Sequence, residues 1–512
     1  MRRRASQPPG PACAFPGPVR VTQQDVRYPS LVGRGLRRFR GSPDEVWVAG
    51  ATEHVVQAVQ HAVRHDMRVA VRSGGHCYEG FVDDPAVRVV IDLSGMRKVS
   101  FDPLLNAFAV EAGATLGEMY RDLFLGWGVT VPAGWCPDVG VGGHILGGAY
   151  GPLCRSAGLS TDHLYAVEAV VVDRHGTARS VVATREPSDP YRDLWWAHTG
   201  GGGGNFGTVT RYWFRSPDAD GDDPAGLLPA PPASVLSFHA EWDWQGMDET
   251  AFGRLVGNHG QWSEQHSSPD SPFTSLYSEL HLLRLPAGRH VMDGQVADTG
   301  PAAERLLDAY ITALNQGIGT PFTLQKQQLP WLTSALRGPG VDASPYRVKL
   351  KAGYLRRRLT DQQIAAAYHQ LTRTDYPNPG GALGLYTYGG KVNTVAPEAT
   401  ATAQRDSVLK AVYVAAWEDP AEDDTHLAWI RSFYRDVYAD TGGVPVPGTG
   451  NSDGSFVNYP DTDLADPRWN TSATPWSTLY YKDNYARLQT VKARWDPRNV
   501  FTHALAVEPP PT

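Results

Sequence analysis

The chemistry-bearing residues of this chain gather where apolar runs break off. The stretch "VRSGGHCYEG" (71–80) ends a β-type run in Arg72, Ser73, Gly74, Gly75, His76 and Cys77. An imidazole and a thiol are the two nucleophiles there, and two glycines let the backbone turn sharply beside them. One histidine at a glycine turn does little alone, so its use depends on what else the chain brings near it.

A second stretch, "CPDVGVGGHILGGAYGPLCRSAG" (136–158), carries Cys136, Gly140, Val141, Gly142, Gly143, His144, Gly147, Gly148 and Gly151. Glycine at this density costs backbone entropy. It suits a backbone that lies flat against a ligand and offers N–H groups to phosphates; the other reading is a loop of successive turns. A third stretch, "HTGGGGGNFGTVT" (198–210), holds a formal G-x-G-x-x-G at Gly202, Gly204 and Gly207. A Rossmann fingerprint requires a helix after the glycines, whereas "TVTRYWFR" is β-branched and aromatic and predicts a strand. Neither run has the G-K-[ST] of a P-loop.

Other motifs fail for want of context. "GNSDG" (450–454) matches a nucleophile elbow around Ser452, with Asp461 and His503 following in hydrolase order. The elbow needs a strand before the serine and a helix after it; "PVPGTG" and "SFVNYPDTD" supply neither. His61 and His65 stand four apart on a predicted helix, but no carboxylate or thiol partner is in view, so an exposed helix face is expected and no metal. Three glycine-rich turns with a histidine and a cysteine then share one explanation. A nucleotide cofactor held without a Rossmann fold takes backbone donors at its diphosphate, and a flavin ring is electrophilic enough to be alkylated onto imidazole or sulfur.

The elements that position these groups fall into two textures. From residue 50, Thr52 caps a predicted helix "EHVVQAVQHAVRH", and "RVAVRSGGH", "VRVVIDLS" and "NAFAVEAG" read as strands. "TLGEMYRDLFLGWG" reads as a helix stopped by glycine, and "YAVEAVVVDRHGTARSVVAT" as two strands about a tight turn. After the acidic, Pro/Gly-rich 216–233 come strand-like "VLSFHAEWDW", "SPFTSLYSELHLLRL", "YRVKLKAGYL" and "GALGLYTYGGKVN". Between them run amphipathic helices, one opening on the capping box Thr-Asp-Gln-Gln at 360–363, another over "DDTHLAWIRSFYRDVYAD". Both halves read as α+β, the second on a largely antiparallel sheet with helices on one side. A further breaker, "GGVPVPGTG", covers 442–450.

At 512 residues the chain is long enough for two domains. With 41% hydrophobic and 20% charged residues it reads as globular, and a formal charge of −7 gives no reason to expect nucleic acid or an anionic membrane as partner. Cys13, Cys77, Cys136 and Cys154 show no CxxC or metal spacing. No run of about 18 apolar residues predicts a spanning helix, and "MRRRASQPPGPACAFPGP" lacks the apolar stretch of an export signal, so a cytoplasmic protein is expected, its first twenty residues a draped arm.

"VAVRSGGHCYEG", "VGVGGHILGGAYGPLCRSAGLSTDHL", "LWWAHTGGGGGNFGTVT" and "LYYKDNYARLQTVKARWDPRNVF" together resemble the berberine-bridge-enzyme-like flavin oxidases of the vanillyl-alcohol-oxidase superfamily. The resemblance runs in order from about residue 25 to 507 and is strongest to the hexose oxidases acting on glycopeptide antibiotics. It implies a PCMH-type FAD-binding domain over 20–215, a substrate-binding α+β cap with a large antiparallel sheet over 216–464, and a return to the FAD domain over 465–512. It implies FAD bound covalently through His76 and, at the flavin 6-position, Cys136; Cys77 competes by adjacency, while Cys13 and Cys154 match nothing. Arg72, Ser73, Gly74, Gly75, Gly140, Val141, Gly142, Gly143, His144, Gly147, Gly148, Gly151, Asp162, Gly202, Gly204, Asn205, Phe206, Val209 and Asn484 are the residues it sets around the cofactor.

The resemblance also implies a tyrosine base, supplied by Tyr459 in "FVNYPDTD". A phenol of ordinary pKa, about 10, is a poor base at neutral pH, so a cation is expected near it, with Lys349, Lys351 and Lys391 as candidates. Trp242, Tyr354, Tyr386 and Tyr388 are expected to line the substrate pocket. The implied reaction removes hydride from a hydroxyl-bearing carbon of a sugar or glycosylated natural product, O2 being reduced to H2O2, in antibiotic or other secondary metabolism. Two alternatives stand beside it: dehydrogenation or oxidative cyclisation of a non-sugar metabolite, and a flavin-loaded drug-binding or resistance protein.

Overall fold

The computed structural model describes residues 17–338 and 346–511; Cys13 and most of the expected N-terminal arm lie outside the described residues. Two sheets precede residue 215. In the first, β1 (Val19–Thr22) pairs antiparallel with β2 (Glu45–Val48), while β3 (Val69–Arg72) and β4 (Val89–Asp92) complete a parallel set in the order β1-β2-β4-β3. The second is antiparallel throughout: β5 (Val99–Asp102), β6 (Ala107–Glu111), β7 (Leu164–Val172), β8 (Ala178–Thr184) and β9 (Thr208–Phe214), in the order β5-β6-β9-β7-β8.

The helix Thr52–Arg64 joins β2 to β3 and buries Val55, Ala58, Val59 and Ala62, which recur at helical spacing. Thr52 is its first residue, not its cap: Ala51 holds the cap position, and the Thr52 hydroxyl donates to Glu168 on β7 at 2.9 Å. Tertiary structure thus claimed a hydroxyl that local pattern assigned to the helix end. The helix Leu116–Trp127 has the Thr115/Glu118 capping box and ends on Gly128 at φ +72°, as the glycine stop required.

The third sheet has seven antiparallel strands in the order β13-β10-β12-β11-β15-β16-β14. Four come from the strand-like runs quoted above: β10 (Ser234–Asp243), β11 (Leu276–Leu283), β14 (Arg347–Leu355) and β15 (Gly381–Thr387). Three more, β12 (Arg289–Val296), β13 (Phe322–Pro330) and β16 (Leu409–Trp417), carry weaker local signals. The helices Pro301–Leu314, Asp361–Thr372 and Asp423–Val437 pack on one face, where Leu236, Phe238, Trp242 and Met292 are buried. The opposite face carries Tyr277, Glu279, Tyr386 and Tyr354.

The last segment returns to the first two sheets. Helix Tyr485–Trp495 lies against Arg192–Ala197, with Arg494 paired to Asp193 at 2.8 Å and Trp495 edge-on to Tyr191. Buried Lys492 bonds Asp496 and the carbonyls of Asn205 and Phe501, tying this helix to the third glycine turn. The whole is α+β. Among the described residues no helix is long and apolar enough to cross a membrane, and no group of three or more His, Cys, Asp or Glu could hold a metal ion.

Candidate active site

Strand β3 leads straight into the turn Ser73–His76, so the C-terminal end of a parallel strand delivers the histidine, the usual place for a ligand in such sheets. Arg72, buried, reaches Asp92 on β4 at 3.3 Å, and Ser73 donates to the Ala112 carbonyl at 2.6 Å. Gly75 has φ +81°, which disfavours any side chain there. A Cβ on Gly74 would stand 2.4 Å from the Gly140 nitrogen, and one on Gly140 would stand 2.2 Å from the Gly74 nitrogen. Backbone therefore touches backbone where the His76 turn meets the loop that carries Cys136.

The third glycine turn closes the other side. Gly202 and Gly204 have φ of +83° and +74°. Asn205 holds the turn by donating to the Gly201 carbonyl at 2.9 Å and accepting the Val507 N–H at 2.8 Å. No helix follows: Gly207 passes directly into β9, which removes the Rossmann reading of these glycines on structural grounds.

These turns surround one cavity of 390 Å³. Of the residues expected at the cofactor, Arg72, Ser73, Gly74, Gly75, His76, Cys136, Gly140, Gly142, Gly143, His144, Gly151, Gly202, Gly204, Asn205 and Val209 line it, as do Cys77, Tyr386 and Tyr459. The wall fits a long dinucleotide such as FAD. Backbone from two glycine turns and from the short helix Val141–Leu146 faces the space, and a Cβ on Gly143 would meet no atom within 4 Å, so the cavity is open beside that glycine.

Burial lowers the His76 pKa, leaving a neutral ring with a free lone pair, and raises that of Cys136. Burial pushes the Cys77 thiol up to about 11. His144, taken down to about 3 by burial, accepts the Gly134 N–H at 3.0 Å and acts as part of the wall.

Tyr459 enters beside this pair. Its hydroxyl shares a 2.7 Å hydrogen bond with Tyr150, and its ring meets Tyr78 edge-on at 5.8 Å, Tyr78 in turn meeting His76 at 5.5 Å. Lys410 of β16 stands behind the two tyrosines, its Nζ 3.1 Å from the Tyr150 ring centroid, 3.5 Å from that of Phe456 and 5.8 Å from that of Tyr459. That Nζ has no hydrogen-bond partner among the described residues. Burial pulls the Lys410 pKa well down and pushes those of Tyr150 and Tyr459 up. Glu279 also faces the cavity, accepting from Tyr277 at 2.6 Å.

The remaining expected residues stand elsewhere. Asp162 turns to Arg405 at 2.7 Å, fastening a loop of the third sheet to the first part of the chain, and Asn484 donates to the Pro397 and Thr400 carbonyls, fastening the same loop region to the last segment. Val141 and Phe206 are buried outside the cavity wall. Gly147 and Gly148 make room for Asn458 and Thr402. Trp242 lies on the helix-covered face, donating to Asn315 at 2.9 Å. Tyr354 and Tyr388 surround Lys410 at 4.7 and 5.5 Å, one layer behind the cavity.

Lys349 and Lys351 are paired with Asp461 and not with Tyr459, and Lys391 is exposed; the lysine near Tyr459 is Lys410. Tyr150 and Lys410 escaped the sequence reading. Tyr150 is the one aromatic residue in the richest glycine stretch, a usable signal; Lys410 sits on an apolar strand whose partners only the fold reveals. The hydrolase set does not assemble: Asp461 belongs to the lysines, and His503 stacks on Phe81 and approaches the Gly203 carbonyl at 3.1 Å. His61 lies 3.2 Å from Glu45, with the His65 ring tilted against it at 4.3 Å.

Comparison with known proteins agrees with this wall. The FAD binding domain family matches residues 43–181, and the berberine and berberine-like family matches 455–508. The aclacinomycin-N/aclacinomycin-A oxidase of Streptomyces galilaeus is 54% identical over 96% of this chain and 90% of its own length. The hexose oxidase of Chondrus crispus is 30% identical over 94% and 93%. Among solved structures, aclacinomycin oxidoreductase superposes with a TM-score of 0.93 at 54% identity, covering 96% of this chain and all of that one. A glycopeptide hexose oxidase complexed with teicoplanin gives 0.92 at 52% identity, covering 96% and 99%. On its glycine-walled cavity and on relatives alike along nearly its whole length, the chain belongs to the berberine-bridge-enzyme-like FAD-linked oxidoreductases.

Proposed function

We propose that this protein is an FAD-dependent oxidase that takes hydride from a hydroxyl-bearing carbon of a sugar or glycosylated natural product and reduces O2 to H2O2, within antibiotic or related secondary metabolism. The observation that carries the reading is the convergence of His76, Cys136 and the Tyr150–Tyr459 pair on one cavity. The relatives' names, an aclacinomycin oxidase and a teicoplanin-bound hexose oxidase, supply the substrate class. In this reading residues 20–215 and 465–512 bind FAD and 216–464 roof it.

FAD, when bound, supplies the hydride acceptor and the route to O2. His76 and Cys136 would hold it covalently, through the imidazole nitrogen and the thiol sulfur. The backbone of Ser73–His76, Gly140–Gly143 and Gly202–Asn205 supports the rest. Tyr459 takes the proton of the substrate hydroxyl. Tyr150 donates a hydrogen bond to the Tyr459 oxygen, and Lys410, its pKa pulled well down by burial, stands over the Tyr150 ring, where a proton taken up on its amine would stabilise phenolate. Tyr386 and Glu279 on the sheet face offer hydrogen bonds to the sugar.

A panel of free sugars and glycosylated aglycones, read by peroxide release, tests this. Turnover of a sugar-bearing substrate supports it. Substrates that shift the flavin spectrum without bleaching it anaerobically would favour a binding protein, and turnover confined to non-sugar metabolites would move the substrate class.

A further inference from the structure

A buried ionic knot joins the two loops that carry the proposed chemistry. Lys349 and Lys351 project from β14 two residues apart, hence on one side of the strand. Lys349 Nζ pairs with Glu79 and lies 2.7 Å from Asp461 Oδ1. Lys351 Nζ takes the other oxygen of Asp461 at 2.6 Å and reaches Asp463 at 2.8 Å. Arg431 caps Asp463 with contacts of 2.8 and 3.0 Å, and Arg38 stands 3.9 Å from Glu79. The side chains of Lys349, Glu79 and Asp461 are 1%, 4% and 1% exposed.

Glu79 follows His76 by three residues, and Asp461 follows Tyr459 by two. With each residue spanning at most about 3.5 Å of chain, displacement of either carboxylate is passed to its neighbour. Charges removed from water hold only where their geometry is met, so the contact does not slide as an apolar one would. The Cys136 loop contributes no residue to the knot.

We propose that Lys349 is a positioning residue: bridging Glu79 and Asp461 from the third sheet, it fixes the His76 turn and the Tyr459 loop relative to each other, and so sets flavin attachment at His76 and the proton transfer at Tyr459, but not attachment at Cys136. This rests on the roles of His76, Cys136 and Tyr459 given under the proposed function. Bond formation at His76 releases the imidazole proton and one hydrogen of the flavin methyl group. The two electrons pass to O2, the oxidant of the proposed reaction, with one H2O2 formed per bond.

The test is flavin-peptide mapping of intact protein for wild type, Lys349→Met, Lys349→Arg and the double variant Glu79→Gln/Lys349→Met, which leaves no stranded Glu79 charge. Lys349→Met, folded by its melting transition, is expected to keep flavin on the Cys136 peptide and to lose at least about tenfold of the His76-linked fraction; Lys349→Arg is expected to restore most of it. Turnover of the best sugar substrate should fall in kcat more than it changes KM. Equal attachment at both residues in Lys349→Met, with kcat unchanged, overturns the proposal. So does loss at both residues together, or failure of both neutral variants to fold, since Lys349 would then serve folding alone. Wild-type protein with no flavin on the His76 peptide would instead overturn the site reading on which this rests.

Discussion

In the proposed reaction the Tyr459 phenol acts as a base, while burial raises its pKa. The 2.7 Å hydrogen bond with Tyr150 opposes this. Tyr459→Phe is therefore expected to cut kcat by about 10²- to 10⁴-fold, the range for loss of a general base, with flavin content unchanged in the visible spectrum. Lys410→Met removes the amine that, on taking up a proton near a phenolate, would stabilise it. Less support for phenolate moves the ascending limb of the kcat/KM pH profile to higher pH; an unmoved limb would exclude Lys410 from the proton path. Tyr459 was legible as a candidate base only through the resemblance of "FVNYPDTD" to a family motif. Its two partners were not, since Tyr150 is 309 residues away in sequence and Lys410 lies on another strand.

At the scale of elements, the glycines divide by what their missing side chains would touch. Gly140→Ala drives a methyl onto the Gly74 nitrogen, within 2.2 Å, and must part the His76 and Cys136 turns. Thermal unfolding should show a loss of about 1–3 kcal/mol, the range for overpacking, with reduced flavin loading. Gly143→Ala meets no atom within 4 Å, so its melting temperature should match wild type while FAD loading falls. Equal loading in Gly143→Ala would mean that the cofactor does not pass there. The strand after the third glycine run could be read from its β-branched and aromatic residues, whereas the short helix Val141–Leu146 inside the second run could not be read from so glycine-rich a stretch. Strand β13 could not: it is a mostly exposed edge strand, "FTLQKQQLP", with no apolar alternation to mark it. Thr52 failed as a cap because its hydroxyl was needed by Glu168, a partner 116 residues distant.

For the whole molecule, the α+β class and the breakers at 216–233 and 442–450 were accessible from composition and turn residues, whereas the order β13-β10-β12-β11-β15-β16-β14 depends on pairings that no local window contains. One consequence of assembly is measurable without a substrate. Asp453 is buried where the last segment meets the third sheet; burial holds its pKa up to about 7, with Lys482 at 2.5 Å opposing. The folded value lies above the unfolded one, about 3.9, so the fold prefers the protonated carboxyl. Its contribution to stability is full below about pH 4 and is lost as pH rises through 7. Wild-type stability to urea should carry this falling component between pH 4 and 7, and Asp453→Asn should remove it; identical slopes in the two proteins would count against the assignment.

The central claim is that one cavity holds FAD fixed at His76 and Cys136. Acid-precipitated, proteolysed protein analysed by mass spectrometry tests it most directly. The account predicts yellow peptides carrying flavin at both residues, a single attachment left in Cys136→Ala, and free FAD released when both are replaced. Colourless peptides from wild-type protein, with all flavin in the supernatant, would contradict it.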